Sequence, residues 1–102
     1  MMARSWRDVR SRMNLDEEKI AQIRERMVAE QRGARLRELR EGRGMTQQQV
    51  ADRMQVTQPR VAAIENGELP RTEVGTVQRY IEALDGRADF VAVFDGERLA
   101  LS

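Results

Sequence analysis

Thr57, Gln58 and Arg60 crowd the start of the segment VTQPRVAAIENG, residues 56–67. A helix face turned to solvent usually carries Lys and Glu; this one offers a hydroxyl, an amide and a single guanidinium. A glutamine amide donates and accepts at once, which suits the edge of adenine, and arginine suits guanine or a phosphate. On a helical wheel Val61, Ile64 and Glu65 fall on one side, which must be the inner one because two of the three are aliphatic. Pro59, Ala62 and Ala63 lie opposite, flanked by Gln58 and Arg60. Their small side chains let the backbone approach a base edge, and an alanine methyl can meet the methyl of thymine. Pro59 costs little here, since a first-turn N–H has no partner inside the helix.

The elements that must hold these groups are well signalled. Thr57 is placed to cap their helix, which stops near Asn66–Gly67. The preceding helix, Met45–Met54, has Thr46 as cap and Gln49 three residues on, the spacing of a capping box. Met45 and Val50 occupy the positions of a hydrophobic staple. Two capped helices joined by about three residues make a helix-turn-helix unit, whose second helix would present its N-terminal residues to the major groove.

Around this unit the pattern is looser. RSWRDVRSRM, residues 4–13, is arginine-rich and reads as a short helix or a mobile stretch. A new helix is expected at Asn14–Asp16, with Asp16, Glu17 and Glu18 in its first turn, where acids suit the helix dipole. Ile20, Ile23 and Met27 form a narrow apolar stripe, and Gly33 is placed to break or loosen the helix. Leu36 and Leu39 start another helical face that ends at EGRG, residues 41–44. Downstream, Val74, Val77, Ile81 and Leu84 mark a helix that Thr72 would cap and Gly86 would stop. DFVAVF, the turn DG and RLAL then read as a β-hairpin. The expected fold is mainly α, five or so helices with a helix-turn-helix core and a short C-terminal hairpin. Its parts are a charged helical extension over 1–32, a DNA-binding unit over 33–86 and a hairpin over 87–102.

Composition narrows the chemistry. The 102 residues contain no Cys and no His, which removes disulfides, thiolate metal sites, the commonest general base and the commonest metal ligand. Without a Gly-rich phosphate loop either, no catalytic, metal or cofactor site is expected. The acids at 16–18 read as helix-start residues rather than ligands. No apolar run has signal-peptide length and none spans a bilayer, so a cytoplasmic protein with no membrane or small-molecule partner is expected. Net charge is +1, but residues 1–43 are net basic and residues 44–102 net acidic. A local basic patch therefore remains available to DNA. Gln48 reads as a helix former on a wet face, and Arg35, Arg37 and Arg43 as solvated charges, with contact of one or two of them to backbone phosphates as the alternative.

TQQQVADRMQVTQPRVAAIENG is similar to the helix-turn-helix of the Cro/C1-type (XRE) family, without gaps over about residues 35–70. Thr46-Gln47, Ala51, Thr57-Gln58, Val61 and Glu65-Asn66-Gly67 stand in the family's spacing. The resemblance implies a phosphate contact for Gln47, groove positions for Thr57, Gln58 and Arg60, and a buried structural ion pair between Arg40 and Glu65. Gln47, Thr57, Gln58 and Arg60, with Pro59, Ala63 and Asn66, make the candidate DNA-binding surface, while Arg40 and Glu65 belong to the fold. Gln55 departs from the glycine frequent in the family's turn, so a non-glycine residue is expected at positive φ there. The whole order, from charged extension through motif to TVQRYIEALDG and hairpin, resembles the HigA-type antitoxins. That resemblance implies an operator-binding repressor of its own operon that neutralises a RelE/HigB-like mRNA-cleaving toxin. The alternative is a Cro/C1-type repressor without a toxin partner.

Two further surfaces are expected. One recognition helix buries too little for tight specific binding, so a homodimer is expected on two half-sites. Its interface is assigned to Val77, Ile81 and Leu84 with Phe90, Val91, Val93, Phe94 and Leu99, because an isolated hairpin is marginal in water. The stripe of Ile20, Ile23 and Met27 reads first as local packing; with Trp6, and outside the DNA-reading unit, it is also the candidate toxin contact.

Overall fold

The computed structural model describes residues 6–102, so Arg4 and Ser5 of the arginine-rich stretch lie outside the described residues. Mainly helical, the described residues form four α-helices and one two-stranded sheet. α1 runs over Trp6–Gly42, α2 over Gln47–Met54, α3 over Gln58–Ala63 and α4 over Val74–Ala83. A kinked turn, Ile64–Glu68, in which Asn66 and Gly67 leave helical geometry, and a 3-10 turn, Leu69–Arg71, connect α3 to α4. β1, Val91–Phe94, pairs antiparallel with β2, Glu97–Ala100, so that Phe94 faces Glu97 across the two-residue turn Asp95–Gly96.

α1 corrects the expected division of the N-terminal half. It is one helix of 37 residues, about 55 Å at the ordinary rise. Asn14–Asp16 is not a helix start: Asp16, Glu17 and Glu18 lie in mid-helix. Gly33 neither breaks nor loosens it. Instead Gly33 is buried where α1 crosses the chain just after α3. A Cβ at Gly33 would collide with the backbone carbonyl of Glu65 and lie 3.1 Å from the carbonyl oxygen of Ile64. The glycine therefore serves close packing between two backbones, and the helix tolerates it because tertiary contact offsets its propensity cost of about 1 kcal/mol.

The helix-turn-helix is built as its caps dictate. The Thr46 hydroxyl accepts from the Gln49 N–H at 3.1 Å, and the Gln49 side chain accepts from the Thr46 N–H at 2.8 Å. Gln55 closes α2 in the left-handed conformation, φ 58°, without glycine. Thr57 occupies the N-cap position of α3, but its hydroxyl makes no capping bond. The cap of α4 is Glu73 rather than Thr72, whose hydroxyl instead donates to the Glu68 carbonyl at 2.8 Å. At the far end of α4 the left-handed residue is Asp85, φ 63°, not Gly86. Gly86 lies against Ile81, where a Cβ would meet that side chain at 3.0 Å.

The core gathers Val50, Ala51 and Met54 of α2, Val61 and Ile64, and Tyr80, Ala83 and Leu84 from α4. Leu36, Leu39, Met45, Val56, Leu69 and Ile81 close over it. Leu84, assigned to the dimer surface from sequence, is 4% exposed and belongs to this core, because α4 turns that side toward α2 and α3. The hairpin stands apart. Phe90, Val93, Phe94 and Leu99 are exposed, while Val91 is half-buried.

Candidate nucleic-acid interface

Beneath α3 lies a buried polar network whose centre is Glu65, 1% exposed. Arg40, from α1, grips its carboxylate with two parallel bonds, Nε to Oε2 at 2.8 Å and Nη2 to Oε1 at 2.9 Å. The third Arg40 nitrogen donates to the Met45 carbonyl at 2.7 Å, which fixes the entry to α2. Tyr80 of α4 donates its hydroxyl to Glu65 Oε2 at 2.7 Å, and Gln47 donates its amide to Oε1 at 3.1 Å. Among the described residues no buried side-chain polar atom is left without a partner. Such a network carries a desolvation cost but ties four helical segments to one carboxylate.

The same geometry sets the ionisation of its members. Burial pushes the Glu65 carboxyl up, but the bonds from Arg40, Tyr80 and Gln47 outweigh it and hold the group below its ordinary range. The bond to Glu65 raises Arg40 still further, against its own burial. Burial, then the adjoining carboxylate, pushes the Tyr80 phenol well above its usual value. Glu65 is therefore a fixed anion and Tyr80 a fixed donor at neutral pH.

From this base a chain of amides leads outward. Gln47 Oε1 accepts from Gln58 Nε2 at 2.6 Å. Both ends of the Gln47 side chain are thus engaged inside the protein. Gln58 uses one N–H on Gln47 and keeps its carbonyl oxygen and second N–H, the pair that an adenine edge needs. Thr57, Pro59 and Arg60 are exposed beside it, and Ala62 and Ala63 are half-buried. Asn66 is exposed and accepts from Arg37 Nη2 at 2.7 Å, so it is oriented by α1.

Several residues escaped the sequence reading. Arg37, read as solvated, bonds Asn66 and lies 3.5 Å from Glu65. Arg35 pairs with Glu38, and Arg43 donates to the Leu39 carbonyl. Tyr80 had been given no role; its helical spacing from Ala83 and Leu84 was the available signal that it faces inward. Of the candidate toxin contacts, Trp6, Ile20, Ile23 and Met27 are all at least half exposed on α1, and Arg10 sits over the Trp6 ring at 5.7 Å. No helix among the described residues is long and apolar enough to cross a membrane. Nor do they contain a His/Cys/Asp/Glu group that would hold a metal ion.

The fold, with α3 presented over a buried Arg–Glu pair, defines a helix-turn-helix protein, and residues 31–90 match the helix-turn-helix domain family. Two curated relatives from Mycobacterium tuberculosis (strain ATCC 25618 / H37Rv) extend the likeness to nearly the whole chain. One, named antitoxin HigA2, is 36% identical over 99% of this chain and 100% of its own length. The other, named antitoxin HigA3, is 39% identical over 99% and 97%. A solved HigA antitoxin, described by induced DNA bending through a unique dimerisation, superposes with a TM-score of 0.57 at 41% identity, covering 64% of this chain and 85% of that one. A DNA-bound HigA3 antitoxin gives 0.56 at the same identity and coverage. The chain belongs to the HigA antitoxin family.

Proposed function

We propose that the protein is a dimeric, operator-binding antitoxin that represses its own operon and neutralises a RelE/HigB-like, mRNA-cleaving toxin. The observation that carries the DNA half is Gln58, half-buried at the start of α3 between the exposed Thr57 and Pro59 and braced through Gln47 onto the buried Glu65. A base-reading amide held on a rigid chain of bonds gives up little freedom on binding, which favours specificity. The DNA-bound relative and the family's antitoxin names support the same reading.

In this reading residues 1–32 are the toxin-binding extension, 33–86 read the operator and 87–102 dimerise. Trp6, Ile20, Ile23 and Met27 meet the toxin. Phe90, Val91, Val93, Phe94 and Leu99, with Val77 and Ile81, form the dimer surface, where two hairpins cover each other's apolar faces. The protein acts in the cytoplasm, as a binding protein with no catalytic step. The test is a gel shift on the protein's own promoter, with and without the product of the neighbouring gene, alongside co-expression with that product. A promoter-specific shift and relief of growth arrest are expected. A chain that binds its promoter but relieves no arrest would leave a repressor without a toxin.

A further inference from the structure

The N-terminal half of α1 carries an apolar seam that the protein's own domain does not use. Trp6, Val9, Met13, Ile20, Ile23 and Met27 follow alternating steps of three and four residues, interrupted at one place only, Asp16. That is the heptad spacing by which one helix packs along another. On the wheel the seam lies about 150° from Ala29, Gly33 and Arg40, the side that packs on the domain. Every residue from Arg10 to Val28 is exposed, and Val9 is half-buried.

The residues beside the seam say what can cover it. One flank is Arg12, Lys19 and Arg26; the other is Arg10, Glu17 and Arg24. In a parallel pair of identical helices, Arg12 would face Glu17 of the second copy but Lys19 would face Arg24, so the flanks give no net attraction, and Asp16 would be buried against another Asp16. An antiparallel pair would set the wholly basic flank against itself. Both arrangements bring like charges together, so a second copy is a poor occupant. We infer that the seam docks an amphipathic helix of a partner protein, one whose apolar stripe is bordered by acidic residues and carries a basic residue opposite Asp16. This rests on the antitoxin reading only for the partner's identity, which would be the toxin.

The chain's only Trp sits in the seam, so its emission reports occupancy directly. The probes are two synthetic heptad peptides with Ile/Leu stripes and one Lys in the stripe, one flanked by Glu and the other by Lys. With the full chain, the Glu-flanked peptide should shift Trp6 emission to the blue and bind at least about tenfold more tightly than the Lys-flanked one. The double variant Ile20→Glu/Ile23→Glu should lose that binding while retaining operator binding, which shows that it folds. Equal binding of the two peptides, binding of neither, or a change in the chain's own sedimentation on this double substitution would overturn the proposal. A chain that binds the Glu-flanked peptide yet fails to neutralise the neighbouring toxin would sink the antitoxin reading and leave the seam standing.

Discussion

Gln58 donates to Gln47 across 2.6 Å, joining the first residue of α3 to the first residue of α2. The two amides therefore act as a unit at the starts of the two motif helices. Gln58→Ala is expected to cost about 1–3 kcal/mol of operator affinity and to relax one position of the site. Gln47→Ala should weaken all operator variants, and part of its effect should vanish when Gln58 is already Ala, as coupled neighbours require. Titrations of both single variants and the double variant on a panel of operator mutants decide this. Strict additivity, or an unchanged ranking of operators with Gln58→Ala, would remove Gln58 as the base reader.

Arg40 and Glu65 predict a stability effect. Replacing Arg40 with Met leaves a carboxylate buried with its main partner gone, a change expected to cost about 3–5 kcal/mol. Tyr80→Phe removes one bond to the same carboxylate and should cost about 1.5–3 kcal/mol. Urea unfolding at neutral pH measures both. An Arg40→Met midpoint matching the parent chain would show that the pair contributes nothing.

The same network predicts two pH limbs. Glu65 is lowered from its ordinary 4.5, so its stabilisation is full above that value and is lost as pH falls toward the lower folded value. Tyr80 is raised from its ordinary 10.0, so stability is full below that value and declines as pH rises beyond it, where only the unfolded chain readily ionises. Glu65→Gln should flatten the acid limb and Tyr80→Phe the alkaline limb. Unfolding midpoints across both ranges test this, and an unaltered acid limb in Glu65→Gln would reassign that limb to other carboxylates.

Gly33 offers a test of packing. Gly33→Ala places a methyl against the Glu65 carbonyl and should destabilise by about 1–3 kcal/mol even though alanine is the better helix former. Gly42→Ala, where nothing lies within 4 Å, is the control and should be neutral or stabilising by up to about 1 kcal/mol. Thermal melts of the two variants should move in opposite directions or differ clearly. Matching gains would mean that α1 does not press on the chain after α3.

Deletion of residues 89–102 tests the dimer. The exposed Phe90, Val93, Phe94 and Leu99 lose their cover if two hairpins do not meet, so the truncated chain should sediment as a monomer with much weaker operator binding. A truncated chain that still sediments as a dimer would move the interface elsewhere.

What the sequence by itself determined is local. The Thr46–Gln49 box, the positive φ at Gln55, the inner position of Val61, Ile64 and Glu65, and the two-residue hairpin turn all depend on residues a few places apart. Their hydrogen bonds and helical periodicity are written into those neighbours. Only the tertiary structure decided the rest. Gly33 reads as a breaker until Glu65 is seen to lie against it, and Arg37 reads as solvated until Asn66 arrives 29 positions later. Tyr80 carries no sign in its own neighbourhood of the carboxylate it bonds, and Leu84 is inside rather than outside because of what α2 and α3 place over it. The continuous α1 follows the same logic: weak local signals at residues 14–16 and 33 yield to a helix whose cost at Gly33 is offset where it packs. Contacts between residues far apart in the chain exist only once the helices have docked, and no periodicity encodes which of their faces will meet.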